Sequence, residues 1–137
     1  MHALVIDDSR TMRRIVGSVL RKCGLDPVEA EHGEEALAQL DRLAAAGTPP
    51  VLATVDWNMP VMDGLTFVTR VRDSGAWTDL TLVMVTTESE HGQIVRALAA
   101  GAHEYVIKPF TTEDMVSKLS LLGLVRADAE AGLEVRA

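Results

Sequence analysis

Residues 51 to 56 read Val-Leu-Ala-Thr-Val-Asp, a short apolar run that ends at an acidic side chain. A continuous apolar run of this length, with two prolines before it, predicts a buried β-strand over residues 51–55. The same pattern occurs near the amino terminus, where residues 3–6 are apolar and Asp7 and Asp8 follow. Two buried strands that each end in an acid predict a parallel sheet with polar groups along one edge.

Three further segments are predicted to be strands. Residues 80–85 form a continuous, β-branched run, residues 105–107 are a short run of the same kind, and residues 27–30 have a weaker strand pattern. Residues 80–85 are followed by Thr86 and Thr87, and residues 105–107 by Lys108-Pro109. Each strong strand is therefore followed by a side chain that can carry charge or donate a hydrogen bond.

Helices are predicted between the strands. The first begins after Ser9 and ends at Gly24, and its apolar side chains recur at helical spacing. The predicted core stripe is Met12, Ile15, Val16, Val19, Leu20 and Cys23, and the residues predicted to lie off it are Arg13, Arg14, Arg21 and Lys22. The second helix covers residues 34–46, and the side chains predicted to point inward are Leu37, Leu40 and Ala44.

The other three helices have weaker patterns. Gly64 begins the third, which carries Phe67, Val68 and Val71, and the fourth is marked by Ile94, Leu98 and Gly101. The fifth runs through Met115, Leu119 and Leu122, with either Thr111 or Thr112 as its N-cap.

Five strands that alternate with five helices predict an α/β fold whose parallel sheet is covered on both faces. Right-handed crossovers place the carboxyl ends of all the strands along one edge, and open sheets of this type bind ligands at that edge. The candidate site residues there are Asp7, Asp8, Asp56, Thr86, with Thr87 beside it, and Lys108.

This set of side chains predicts a particular chemistry. Two carboxylates 4 Å apart repel by about 4 kcal/mol at an effective dielectric near 20, so three of them need a cation. Oxygen ligands in small number favour Mg²⁺, which also binds phosphate oxygens. With Lys108 and Thr86 nearby, a carboxylate such as Asp56 can act as nucleophile in phosphoryl transfer and form an acyl phosphate.

Composition limits the classes of function. The chain has 137 residues, the length of one domain, and a net charge of −7 from 13 basic and 20 acidic side chains. An acidic chain lacks the electrostatic footprint of nucleic-acid binding. The single cysteine cannot form an internal disulfide, and no apolar run approaches the roughly 20 residues of a membrane span. We therefore expect a cytoplasmic protein that neither binds nucleic acid nor inserts into a membrane.

Four sequence blocks resemble the signature blocks of response-regulator receiver domains, a bacterial signalling family, and the resemblance covers about residues 3 to 122. The run 56–60 and the position of Tyr105 are similar to the stand-alone chemotaxis regulators of the CheY type. The blocks are Val5-Ile6-Asp7-Asp8-Ser9-Arg10-Thr11-Met12-Arg13-Arg14, Val55-Asp56-Trp57-Asn58-Met59-Pro60-Val61-Met62-Asp63-Gly64, Val85-Thr86-Thr87-Glu88 and Val106-Ile107-Lys108-Pro109-Phe110.

The resemblance implies a flavodoxin-like (βα)5 fold, a doubly wound five-stranded parallel sheet of order 2-1-3-4-5. It also implies that a histidine kinase phosphorylates Asp56. Asp8, Asp56 and the backbone carbonyl of Asn58 would ligate Mg²⁺, while Asp7 holds a metal-bound water. Lys108 would pair first with the acid and then with the phosphoryl group, and its bond to Pro109 is expected to be cis.

A switch is implied as well. Thr86 would move to bond the phosphoryl group and Tyr105 would turn inward behind it. This motion would change a partner-binding surface on the fourth helix, fifth strand and fifth helix. Asn58 and Glu88 lie beside the acyl phosphate and are predicted to tune its hydrolysis.

The sequence thus predicts a receiver domain over residues 1–123 and an extension over residues 124–137 that is helical or frayed. The predicted function is a phosphorylation-activated response regulator that switches protein binding, with chemotaxis as one candidate process. It is not expected to be an enzyme beyond catalysing its own phosphorylation and dephosphorylation. Two alternatives are a Mg²⁺-dependent aspartyl-phosphate phosphatase and a phosphate-independent docking module. The phosphatases usually carry a second acid where this chain has Asn58.

Overall fold

The computed structural model describes residues 1 to 125, which form one five-stranded sheet with helices on both faces. The strands are β1 (His2–Ile6), β2 (Asp26–Ala30), β3 (Leu52–Val55), β4 (Thr81–Thr86) and β5 (Glu104–Ile107). The helices are α1 (Arg10–Lys22), α2 (Gly33–Ala45), α3 (Gly64–Asp73), α4 (His91–Ala100) and α5 (Thr112–Leu121). Each predicted strand is confirmed to within one residue at either end.

All four strand pairings are parallel, and the sheet order is β2-β1-β3-β4-β5. The flavodoxin-like order implied by the resemblance is therefore confirmed. The chain passes from β1 outward to β2 and then returns to the other side of β1 at β3. Two neighbouring strands whose connections leave in opposite directions create a crevice at their carboxyl ends.

The core is divided by the sheet, because alternate residues of a strand point to opposite faces. One layer packs Leu4, Ile6, Ala53 and Val55 against α2, α3 and α4. The other packs Ala3, Val5, Leu52 and other strand residues against α1 and α5. Cys23 is buried in this second layer, as predicted. The described helices include none that is long and apolar enough to span a bilayer.

The predicted stripe of α1 is wrong at its margin. Ile15 is 45% exposed, whereas Arg13 is only 8% exposed. At about 100° per residue, both side chains lie roughly 70–90° from the centre of the buried face, so periodicity alone cannot rank them. Packing against β2 and its loop buries the arginine and leaves the isoleucine outside.

The structure corrects one prediction for α2 and decides between the two N-cap candidates of α5. In α2 the buried side chain is Leu43 and not Ala44, because the face that meets the sheet is centred on Ala36 and Leu40. Thr111 is the N-cap of α5: its hydroxyl accepts from the Asp114 N–H at 3.1 Å, and the Asp114 carboxylate accepts from the Thr111 N–H at 3.2 Å. This reciprocal pair is a capping box.

The predicted extension over residues 124–137 falls largely outside the described residues. Of that segment the structure describes Leu124 and Val125, which pack against the layer formed by α1 and α5.

Candidate functional site

Strand register brings the predicted residues together. Ile6 pairs with Val55, so Asp7 and Asp56 follow side by side at the carboxyl edge. The Asp56 N–H donates to the Ile6 carbonyl at 3.0 Å, which extends the ladder to the acid itself. Likewise, the Lys108 N–H donates to the Thr86 carbonyl at 2.9 Å. Backbone pairing thus positions these four residues before any side-chain contact is considered.

The three predicted carboxylates converge. Asp7, Asp8 and Asp56 each offer an oxygen, and these atoms all lie within 4.8 Å of one another. Asp7 and Asp56 are buried and Asp8 is exposed. Two unit charges at this distance repel by about 3.5 kcal/mol at an effective dielectric near 20. A cation between these oxygens would reduce the repulsion.

Lys108 neutralises part of this charge. Its Nζ donates to Asp7 Oδ2 at 2.7 Å and lies 3.4 Å from Asp56 Oδ2. The Lys108–Pro109 peptide is cis, as expected. The ammonium bridges the two buried carboxylates and leaves Asp8 on the solvent side.

The balance of these groups shifts the pKa of Asp56 upward. Burial is the largest cause, and the Asp7 charge adds to it. The Lys108 charge and hydrogen bonds from Thr86 and Lys108 act in the opposite direction. The Asp56 carboxylate is therefore less favourable in the folded protein than in water. A cation bound beside it would offset the cost of burying its charge and the repulsion from Asp7.

The loop after β4 links the remaining predicted residues. The Asn58 Nδ2 donates to Glu88 Oε1 at 2.7 Å, so the two residues expected to tune hydrolysis are bonded to each other. The Glu88 N–H donates to Thr86 Oγ1 at 3.3 Å. The Tyr105 hydroxyl donates to the Glu88 carbonyl at 2.6 Å. The structure therefore brings together all eight residues predicted for the site or its switch.

Tyr105 departs from one expectation. Its ring was expected at the surface until phosphorylation draws it inward, yet it is already only 4% exposed. The hydrogen bond to Glu88 gives the hydroxyl a partner, which makes the inward position favourable for a ring with one polar atom. The inward ring therefore does not require a phosphoryl group.

The loop after β3 has a constrained geometry. A Cβ on Gly64 would overlap the Asp56 carbonyl oxygen, so the glycine allows α3 to start against the backbone of the acid. Val61 has φ of 68°, a region that a β-branched residue rarely occupies. Trp57 is buried, and the Arg96 guanidinium lies 5.9 Å from its ring centroid, within range of a cation–π contact. The loop that follows Asp56 therefore packs closely against the start of α3 and contacts α4.

Sequence reasoning missed two residues that shape the site. Ser9 caps α1 by accepting from the Met12 N–H at 3.2 Å, and its own N–H donates to Asp7 Oδ1 at 2.9 Å. Arg13 donates to the Asp7 carbonyl at 2.7 Å. A serine directly after an acidic pair is a signal that could have been read. Arg13 had no such signal, because it lies at the margin of the apolar stripe, where an arginine is usually exposed.

The residues present fit a magnesium ion. Mg²⁺ prefers hard oxygen ligands, binds few protein carboxylates and shares the remaining positions with water and phosphate. Asp7, Asp8 and Asp56 supply such oxygens on a crevice that is open at Asp8.

Comparison of the sequence with known protein families and proteins agrees with this geometry. Residues 3–120 match the family model described as response regulator receiver domain, and the chain belongs to this family. The chemotaxis protein CheY1 of Helicobacter pylori is 43% identical over 123 residues, which is 89% of this chain and 96% of that protein. The CheY homolog of Campylobacter jejuni is 46% identical over 120 residues, covering 87% and 89% of the two chains.

A solved structure of the chemotaxis protein CheY4 of Vibrio cholerae is also similar. It has 32% identity and a TM-score of 0.75, over 87% of this chain and 95% of that one. The chain is therefore a receiver domain with CheY proteins among its relatives over nearly their full length.

Proposed function

We propose that this protein is a phosphorylation-activated response regulator that accepts a phosphoryl group on Asp56 and thereby switches its binding to another protein. The observation that carries the proposal is the buried pair Asp7 and Asp56 bridged by Lys108 at 2.7 and 3.4 Å. This arrangement holds a nucleophile, a permanent positive charge and a cation-binding cluster within one crevice.

The reaction is a transfer from a phosphohistidine of a kinase. An oxygen of the Asp56 carboxylate forms a bond to phosphorus, the P–N bond to the histidine breaks, and the imidazole leaves with the bonding pair and takes up a proton. Mg²⁺, when bound, neutralises charge on the phosphoryl oxygens. Lys108 exchanges its contact with Asp56 for a phosphoryl oxygen, and the Thr86 hydroxyl donates to another.

Hydrolysis returns the protein to its starting state. Water must attack phosphorus in line with the acyl oxygen; the P–O bond to Asp56 then breaks, which releases inorganic phosphate and restores the carboxylate. Asn58 and Glu88 lie at the mouth of the crevice, bonded at 2.7 Å. Both side chains are polar, so they can orient a water molecule. We propose that this pair sets the lifetime of the phosphorylated state.

The signal leaves through protein binding, and we propose that chemotaxis is the process. Both curated relatives described above are chemotaxis proteins. The proposed binding face is formed by α4, β5 and α5. It carries Val95 and Leu98 on α4 and Ile107 on β5, three apolar side chains that are all substantially exposed. The proposed setting is cytoplasmic, where a histidine kinase supplies the phosphoryl group.

A small phosphodonor tests the proposal. Incubated with Mg²⁺ and acetyl phosphate, the wild-type protein should gain the mass of one phosphoryl group, because the domain supplies the nucleophile and the charges around it. Asp56→Asn should gain none, and Asp79→Asn, at an exposed acid outside the site, should label like wild type. Intact mass spectrometry measures all three. Equal labelling of wild type and Asp56→Asn would show that the assignment is wrong.

A further inference from the structure

Arg13 lies in the interior beside the site, although the sequence places it among the charged residues of α1. Its side chain is 9% exposed. A buried guanidinium is unfavourable unless its donors are used, so its contacts indicate what it does. Nη1 donates to the Asp7 carbonyl at 2.7 Å, and Nε donates to Glu29 Oε1 at 2.9 Å. Nη2 lies 3.9 Å from Glu31 Oε1.

The hydrogen bond from Arg13 is one of four that together use every polar atom of Asp7. The Asp7 N–H donates to the Ala30 carbonyl at 3.1 Å, and the two carboxylate oxygens accept from the Ser9 N–H at 2.9 Å and Lys108 Nζ at 2.7 Å. The carbonyl of Asp7 lies beyond the end of β1 and receives its hydrogen bond from Arg13. Every polar atom of Asp7 therefore has a partner, and its orientation is defined.

The Asp7 carbonyl belongs to the peptide unit that leads into Asp8. Because a peptide unit is planar, holding this oxygen also sets the direction of the Asp8 N–H and the start of its backbone. Asp8 is exposed, and this peptide plane determines where its Cα begins. The charge of Arg13 is paired with Glu29 and, at 3.9 Å, with Glu31, so its direct contact with the acidic cluster is the hydrogen bond to the Asp7 carbonyl.

We infer that Arg13 is a positioning residue of the metal site, which aims the Asp7–Asp8 pair by holding the peptide between them. The inference rests on the proposed function, since it assigns a role in binding Mg²⁺. Partners that orient a metal ligand typically contribute 10–100-fold to metal affinity. Arg13 acts through the backbone of a ligand, so we expect an effect near the lower end, about tenfold.

The test compares Arg13→Lys with wild type and with Arg14→Lys. Lysine keeps the charge and the aliphatic stem but lacks the planar fork that reaches a carbonyl and a carboxylate together. Arg13→Lys should bind Mg²⁺ about tenfold more weakly, measured by titration of tryptophan fluorescence, while Arg14→Lys should match wild type. At saturating Mg²⁺ the labelling rate of Arg13→Lys should stay within about threefold of wild type, because Asp56 and Lys108 are untouched. Mg²⁺ affinity within about twofold of wild type would overturn the inference.

One further measurement separates positioning from general stability. The Asp8 amide shares a peptide unit with the Asp7 carbonyl, so its ¹⁵N chemical shift without metal should move in Arg13→Lys and not in Arg14→Lys. An unmoved shift in Arg13→Lys would overturn the inference even if wild type bound no Mg²⁺. Failure of wild type to bind Mg²⁺ or to be labelled would instead reject the proposed function.

Glu29→Gln tests the other partner of Arg13, because it removes the negative charge that pairs with the guanidinium. Glu29 is half-exposed, and glutamine keeps an oxygen that can accept from Arg13 Nε, so we expect this variant to fold with Nη1 in reach of the Asp7 carbonyl. Its Mg²⁺ affinity should stay within about threefold of wild type. A tenfold loss with an unmoved Asp8 amide would trace the effect to charge on β2 and would contradict a positioning role.

Discussion

Removing the charge of Asp56 should stabilise the folded protein at neutral pH when no divalent cation is present. Burial raises the pKa of this carboxyl, and the Asp7 charge raises it further. Asp56→Asn keeps the size and planar shape of the side chain and removes the charge. The free energy of unfolding should therefore increase.

Distances in the site indicate the size of the effect. At an effective dielectric near 20, Lys108 at 3.4 Å attracts Asp56 by about 5 kcal/mol. Asp7, within 4.8 Å, repels it by about 3.5 kcal/mol, and the exposed, screened Asp8 adds about 1 kcal/mol. These contributions nearly cancel, so the burial of a charge decides the sign. We expect Asp56→Asn to gain about 1–2 kcal/mol.

The gain should depend on pH in a defined direction. The pKa of Asp56 in the folded protein lies above its ordinary value of 3.8, so the folded state binds a proton more tightly than the unfolded state does. Below the ordinary value the carboxyl is protonated in both states, and the variant should have no advantage. Wild-type stability is lost as pH rises through the folded-state pKa, so the advantage should be complete once the pH lies above that pKa.

Urea unfolding followed by circular dichroism in EDTA measures this difference. Asp79→Asn, at an exposed acid, is the control and should stay within about 0.5 kcal/mol of wild type. Added Mg²⁺ should stabilise wild type more than Asp56→Asn, because only wild type keeps all three carboxylates. A variant less stable than wild type near pH 7, or a gain that is the same near pH 3, would refute the reasoning.

Three further outcomes are expected. Thr86→Ala should accept phosphate but lose most of the phosphorylation-dependent gain in partner affinity, which is typically about 5–150-fold; an unchanged affinity ratio with a stable phosphoryl mimic would exclude Thr86 as the switch. Glu88→Lys should slow hydrolysis of the acyl phosphate, because the longer side chain shields the bond that Asn58 and Glu88 leave open to water; decay as fast as in wild type would contradict this. Mg²⁺ should change the fluorescence of Trp57 in Trp77→Phe, since Trp57 is buried directly after Asp56; a flat titration would count against the metal site.

Much of the fold could be predicted because its signals are local. The strands β1, β3 and β4 are largely apolar runs, and the acid or hydroxyl at the end of each run marks where the strand leaves the core. Parallel strands then bring Asp7, Asp56 and Lys108 to one edge without further information. The order of the strands is different, because pairing β1 with both β2 and β3 is a long-range choice that periodicity does not contain. The resemblance to receiver domains supplied it.

The errors arise where tertiary contacts choose between locally equivalent residues. Arg13 and Ile15 lie at opposite margins of the buried face of α1, and contact with Glu29 and the Asp7 carbonyl selects Arg13 for burial. Ala44 and Leu43 both fit a helical stripe, and the angle at which α2 meets the sheet selects Leu43. Such choices depend on how an element is rotated against its neighbours, which a sequence pattern does not specify.

The contacts of Glu88 suggest how the switch operates when Tyr105 already lies inward. A hydroxyl has one proton to donate and two lone pairs. Thr86 Oγ1 accepts from the Glu88 N–H at 3.3 Å, and the same hydroxyl interacts with the Asp56 carboxylate and lowers its pKa. If the Thr86 hydroxyl donates to a phosphoryl oxygen and still accepts from the Glu88 N–H, a shift of Thr86 moves the Glu88 backbone with it. The Glu88 carbonyl accepts from the Tyr105 hydroxyl at 2.6 Å. Fixing the Glu88 backbone would therefore strengthen this existing hydrogen bond and favour the inward position of the ring. Phosphorylation would then shift the population of an existing state, and the partner would read that population.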